Sequence, residues 1–225
     1  MPKGKRYNAD IDGWDRELPV SLVDAVNRLK TFKKAKFDQS VELVMHLGID
    51  PKQADQLLRG AVALPHGIGS SKRVIAFCRD DQVEPAKKAG AIEAGGDALV
   101  KKVEEGFLDF DVAIASPDMM RVVSRLGKVL GPKGLMPSPK SGTVTADIEK
   151  AVREYSAGKV EFRNDAGGNV QAVIGKQSFE PAKIVENAQA FIDTILRMKP
   201  SSSKGVFIKK ISVSLTMSPG VIVQV

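Results

Sequence analysis

Near the carboxyl end, Lys210, Ser212, Ser214 and Thr216 occupy alternate positions. If that stretch is extended, one ammonium and three small hydroxyls share a face, because successive side chains in a strand point to opposite sides. Short hydroxyls let a sugar–phosphate backbone come close, and they both donate to and accept from a ribose 2′-hydroxyl. The same residues also suit an ordinary solvated face.

Side chains suited to catalysis are sparse. His46 and His66 are the two histidines, and neither stands at ligand spacing from another histidine, a cysteine or paired acids. Cys78, the one cysteine, precludes an internal disulfide and sits in the apolar run Val74–Cys78, where it reads as a small buried hydrophobe. Gly67-Ile68-Gly69-Ser70-Ser71-Lys72 resembles a phosphate loop in composition but precedes a strand. Its amides would therefore not crown a helix amino terminus. Leu130–Gly142 combines three prolines, three glycines and two lysines directly after a helical stretch. It reads either as a rigid surface turn or as a stiff basic loop facing a phosphate or a neighbouring domain. The residues call for no cofactor or metal.

Several elements must position the hydroxyl run. Val206–Met217 alternates, with Phe207, Lys209, Ile211, Val213, Leu215 and Met217 on the parity expected to face the core. Phe37–Leu47 alternates likewise. Ser21 and Asp24 fit a capping box that opens a helix through Leu29, and Asp50-Pro51 opens a short helix to about Leu58. The middle differs. Apolar strands at Arg73–Cys78 and Phe110–Ala115 alternate with helices at Glu84–Gly90, Ala98–Gly106, Pro117 to about Leu130, and Thr145–Ala157, the signature of a parallel sheet covered on both faces. Beyond it, Lys159–Asp165 and Asn169–Lys176 flank Ala166-Gly167-Gly168 as a hairpin. A long helix, Pro181–Met198, carries Ile184, Ala188, Phe191, Ile195 and Met198 on one stripe, and Val221–Val225 closes the chain as a strand.

The chain has 225 residues, 43% of them hydrophobic and 27% charged, enough for a folded core. Lys and Arg exceed Asp and Glu by 34 to 27, a basic balance that favours anionic partners. Residues 1–66 carry 11 basic and 9 acidic side chains, residues 67–158 carry 14 and 13, and residues 159–225 carry 9 and 5. The two flanks therefore hold +6 of the net +7. The basic start, Met1–Tyr7, lacks the apolar stretch of a signal peptide, and no segment is apolar enough to cross a membrane, so a cytoplasmic protein is expected.

Thr216-Met217-Ser218-Pro219 resembles the Thr-Met-Gly-Pro signature of the bacterial ribosomal protein L-one family. Ala35–Glu42, Leu64–Gly67, Gly131–Gly142 and Gly158–Asp165 match further blocks of that family in its order, over nearly the whole chain. The resemblance implies an α/β protein of two lobes. An α+β, rRNA-binding lobe is built from both chain ends, 1–66 and 159–225, and a Rossmann-like parallel α/β lobe, 67–158, is inserted through a two-strand hinge. It implies a non-enzymatic protein, monomeric when free, that grips the stalk rRNA of the large subunit. The protein would assist release of deacylated tRNA from the exit site and repress its own operon messenger. Carried across by position, the rRNA contacts are Lys36, Phe37 and Glu42 with Ser212, Ser214, Thr216, Met217 and Ser218. Gln171, Lys176 and Lys5 are added as further contacts, and Lys52 and Arg59 would face tRNA. Ser218 stands where the family commonly has glycine, which puts a Cβ at a point of close approach. Two other readings remain at this point: a nucleotide-binding enzyme using a strand–helix crevice, and a protein scaffold using the 181–198 helix.

Overall fold

The computed structural model describes residues 4–12 and 14–224. The expected basic run 1–7 and the terminal strand 221–225 fall partly outside these residues. In chain order the first elements are α1 (Lys5–Ile11), α2 (Leu22–Thr31), β1 (Ser40–Leu47) and β2 (Arg59–Val62). Then come β3 (Val74–Phe77), α3 (Asp80–Lys88), β4 (Glu93–Gly95), α4 (Asp97–Glu104) and β5 (Val112–Ala115). Short helices α5 (Met120–Val123) and α6 (Gly127–Leu130) precede α7 (Ile148–Ser156). The last elements are β6 (Val160–Arg163), β7 (Asn169–Lys176), α8 (Pro181–Arg197), β8 (Ile208–Leu215) and β9 (Val221–Val223). They divide into two compact units, Met1–Gly69 with Val160–Val225, and Ser70–Lys159.

In the first unit an antiparallel sheet runs β7-β1-β8-β9. Period-two patterning gives it one greasy face. Val41, Leu43, Met45 and Leu47 of β1 join Val170, Ala172 and Ile174 of β7 and Ile211, Val213 and Leu215 of β8. Against that face pack Ala25, Val26 and Leu29 of α2 and Ile184, Ala188, Phe191 and Ile195 of α8. The long-helix stripe is thus core, which removes the scaffold reading of that helix. Ser21 caps α2 by accepting the Asp24 amide at 3.1 Å, as its capping-box spacing requires. Asn187, fully buried on α8, donates to the carbonyls of Gly67 and Ile174 and accepts the His66 amide, holding Leu64–Gly67 in place.

The second unit is a parallel sheet of order β4-β3-β5. Val74, Ala76, Val112 and Ile114 face Ala86, Ile148, Val152 and Tyr155, while Ile75, Phe77, Ala113 and Ala115 face Leu99, Val103, Val123 and Leu126. Helices on both sides make these strands apolar throughout. Cys78 lies buried among them, and burial pushes its thiol up. Arg79, just after β3, pairs with Asp118, just after β5, at 2.7 Å across the strand ends where a nucleotide would sit in a doubly wound fold.

Several expectations change. The helix expected from Asp50 to Leu58 is a short 3-10 turn, Ala54–Gln56. Asp50 accepts the Lys52 amide, and buried Gln56 accepts the Asp50 amide, so local side-chain bonds replace the helical ladder. The expected helix from Pro117 to Leu130 starts at Met120 and is broken by a 3-10 turn at Ser124–Leu126, where the Ser124 hydroxyl donates back to the Arg121 carbonyl. The turn at residues 166–168 forms, but it does not join a hairpin ladder: β6 pairs with β2, and β7 pairs with β1. Strands β1 and β8 begin later than their alternation suggests, at Ser40 and Ile208. A register shift opposite His46–Leu47 reverses the parity at the start of β8, so Ile208 is buried and Lys209 exposed.

Candidate nucleic-acid interface

The sheet face opposite α2 and α8 is polar and accessible, and strand register sets its rows. Asn169, His46 and Lys210 stand side by side on β7, β1 and β8; Gln171, Val44 and Ser212 form the next row, and Val173, Glu42 and Ser214 the third. Ile222 of β9 extends the middle row. All of these side chains are half-buried or exposed. His46 Nδ1 and Asn169 Oδ1 meet at 2.9 Å, and the Asn169 amide in turn holds the Asp165 carboxylate. Those bonds, with the Asn169 and Gly167 backbone amides, keep the Asp165 carboxyl below the usual carboxylate range.

The rows end at a rim where β1 begins and β8 finishes. Ser40 organises it: its amide donates to Thr216 Oγ1 and its carbonyl accepts the Thr216 amide, each at 3.1 Å, while Lys176 Nζ donates to its hydroxyl at 3.0 Å. Buried Gln39 accepts the Met217 amide at 3.0 Å and bonds Gln177, tying the approach of β1 to the exit of β8. Lys36 and Phe37 lie in the bend just before, both exposed, and Phe37 and Met217 are each 53% exposed. The rim thus offers an ammonium, hydroxyls and two bare apolar side chains.

The structure brings together Lys176, Thr216, Met217 and Ser218 around Ser40 and Gln39 at this rim, with Lys36 and Phe37 in the bend that leads into it and Glu42, Gln171, Ser212 and Ser214 on the adjoining face. The Ser218 hydroxyl accepts the Leu215 amide at 3.0 Å, and its backbone is of an ordinary kind, with φ not positive, so the turn itself does not call for glycine. Lys5 begins α1 and is not part of an extended arm; the neighbouring Arg6 donates to the Met217 carbonyl at 3.0 Å, which sets that helix beside the rim. Lys52 and Arg59 lie elsewhere. Both follow the far end of β1, which at about 3.3 Å per residue is roughly 23 Å from Ser40, and Arg59 belongs to the separate β2–β6 ribbon.

Sequence reasoning missed His46 and Asn169 as neighbours on this face, and Arg16, which lies beside Lys210 and Ser212. Alternation alone marks His46 as outward-facing. Nothing in the sequence around Arg16 joins it to β8, since that proximity arises only when the chain ends meet. Among the described residues no cluster of three or more His, Cys, Asp or Glu side chains could hold a metal ion.

An rRNA-like ligand suits this surface chemically. Hydroxyls and amides can meet ribose and phosphate oxygens, lysines can supply charge, and side chains such as Phe37 and Met217 can cover a sugar or base. Comparison with known proteins agrees. The profile of the ribosomal protein L1p/L10e family matches residues 29–219. The protein named large ribosomal subunit protein uL1 from a Nocardioides species is 50% identical over 221 residues, covering 98% of this chain and 92% of that protein. Its namesakes in Nitratidesulfovibrio vulgaris and Thermobifida fusca are 50% and 48% identical over 98% of this chain, each with 94% of its own length covered.

Proposed function

The chain belongs to the ribosomal protein L1p/L10e family, and on that premise we propose that the four-stranded sheet of the discontinuous unit grips stalk rRNA of the large subunit. It is a ribosomal protein of the large subunit and not an enzyme, acting with ribosomes in the cytoplasm. No described helix is long and apolar enough to cross a membrane.

The observation that carries this reading is the meeting of the two chain ends at Ser40. The Ser40–Thr216 backbone pair joins the start of β1, which Lys36 and Phe37 precede by four and three residues, to the end of β8 at Thr216 and Met217. Such a surface reads backbone shape, since the deep major groove of A-form RNA is closed to side chains. Residues 1–66 and 159–225 are accordingly the rRNA-binding domain, and residues 67–158 the inserted one. Equilibrium binding to a stalk rRNA fragment tests the reading. Log affinity is expected to fall by roughly 0.7–0.9 per log unit of salt for each phosphate neutralised. A flat salt titration refutes it.

The same surface also serves repression of the protein's own operon messenger, if a leader segment presents the same backbone shape. Variants at Lys36 and Thr216 are then expected to lose both RNAs in parallel. Loss of rRNA alone would assign repression elsewhere. Release of deacylated tRNA from the exit site falls to Lys52 and Arg59, supported by their exposure and half-exposure at the opposite end of β1 from the rim. Lys52→Gln with Arg59→Gln is expected to slow tRNA release while leaving stalk affinity unchanged, and an unaltered release rate counts against that role.

A further inference from the structure

Beside the open sheet face lies a polar pocket of about 350 Å³, lined by Arg16, Glu17, Lys210, Ser212, Gly220 and Ile222. We propose that this pocket binds one internal phosphodiester of the RNA that crosses the sheet, with Arg16 as the anchoring residue. The inference rests on the rRNA-binding reading above and extends its footprint from the β1–β8 rim to the β9 edge.

Arg16 carries the argument. Its Nε is buried and has no hydrogen-bond partner among the described residues. No ion pair among those residues involves Arg16 or Lys210. A guanidinium that finds no acceptor within the fold is costly to hold there, and because its Nε is closed to solvent, a ligand oxygen in the pocket offsets that cost through the terminal nitrogens. The group is also oriented in advance, its Cζ lying 6.0 Å from the Tyr7 ring centroid. Tyr7 belongs to α1, which Arg6 fastens to the Met217 carbonyl, so the same helix braces both the rim and this pocket.

The donor set matches a phosphodiester. A guanidinium fork spans two phosphate oxygens, an ammonium adds a point charge, and a small hydroxyl donates a third bond. Lys210 is exposed and Ser212 half-buried, both on the outward rows of β8. At Gly220 an added Cβ would meet nothing within 4 Å, so the lining is uncrowded at that point. Glu17 on the lining sets the charge. With Arg16 and Lys210 it leaves the pocket one net positive charge, which balances the single charge of an internal diester and not the larger charge of a terminal phosphate. Ser212 also neighbours Ser214 two positions along the strand, so one sugar–phosphate run can pass from the third row to the pocket.

The test uses the full chain and the stalk rRNA fragment across a salt series. Arg16→Gln is expected to lower affinity and to reduce the slope of log affinity against log salt by roughly 0.7–0.9, the contribution of one phosphate. Glu17→Gln is expected to act in the opposite sense, raising affinity at fixed salt with no loss of slope. Thermal melts of both variants identify any loss of fold, and if Arg16→Gln fails to fold, Glu17→Gln still decides the matter. An unchanged affinity and slope for folded Arg16→Gln, or no gain for Glu17→Gln, overturns the pocket while the rim stands. Salt-independent binding by the unaltered protein overturns the rim and the pocket together.

Discussion

At the scale of single residues, Thr216 has two duties that one substitution cannot separate. Its hydroxyl accepts the Ser40 amide at 3.1 Å and donates to the Ser40 carbonyl over a long 3.5 Å, a weak bond that a ligand acceptor can replace. Thr216→Val removes both bonds and is expected to cost about 0.5–1.5 kcal/mol of stability as well as RNA affinity, measurable by urea unfolding and filter binding. Ser214 stands on the same strand beside Glu42 and makes no hydrogen bond through its hydroxyl to another described side chain or backbone group. Ser214→Ala should therefore lower affinity by about 1–3 kcal/mol, the range for a bond lost in a dry interface, while leaving the unfolding midpoint in place. Equal losses of stability in the two variants would make the hydroxyl row structural. That row was legible in the sequence, because strand alternation assigns Ser212, Ser214 and Thr216 to one side without knowledge of their neighbours. Arg16 was not, because its significance lies in an unmet nitrogen beside Lys210, a relation made by tertiary packing. Ser218 was partly legible: its departure from the family's glycine is visible, but its bond to the Leu215 amide belongs to the folded turn.

At the scale of elements, the sheet depends on how β8 enters. The Gly48 amide donates to the Phe207 carbonyl at 2.7 Å, and a Cβ on Gly48 would lie 2.2 Å from the Val206 carbonyl oxygen. Gly48→Ala must push that backbone away where the register shift turns Lys209 outward, and is expected to destabilise by about 1–3 kcal/mol, as overpacking does. An unshifted melting curve would mean that the strand entry is soft. The turn between β6 and β7 carries a pH dependence. Asp165 is held ionised by the Asn169 amide and by backbone amides, so its folded pKa lies below its unfolded one. The stability it contributes is thus present above the unfolded value, near 3.9, and fades as pH falls through the depressed folded value. Asp165→Asn is expected to lower stability at neutral pH and to flatten the acid limb of a stability–pH curve; an identical limb would remove the carboxylate from that role. These elements also mark where sequence patterns mislead. The glycine-rich turn after Asp165 is real, yet its strands enter different sheets, because β1 and β2 offer better partners than the local hairpin. Asp50 and Ser124 stop helices through their own side-chain bonds, which periodicity of apolar residues does not register.

At the scale of the molecule, charge is distributed unevenly within the inserted unit as well as between the units. From Met119 to Ala146 the chain has no acidic residue, while Arg121, Arg125, Lys128, Lys133 and Lys140 are exposed and form no ion pairs among the described residues. The rest of that unit is correspondingly acidic, so the unit as a whole is nearly neutral. If the flanking unit alone grips stalk rRNA, ligand linkage should protect that unit. At a free RNA concentration 100 times Kd the gain is about 2.7 kcal/mol, seen as slowed hydrogen exchange in β1, β7, β8, α2 and α8, with β3, β4 and β5 unaffected. The basic stretch supplies the complementary test. Charges that do not touch the RNA act only through a field screened over about 8 Å at physiological salt, so Arg121→Gln, Arg125→Gln and Lys128→Gln together are expected to leave the salt slope unchanged and affinity within about threefold, a shift below 1 kcal/mol. A slope reduced by two or more phosphate equivalents would put the inserted unit on the RNA and would make recognition a property of both units.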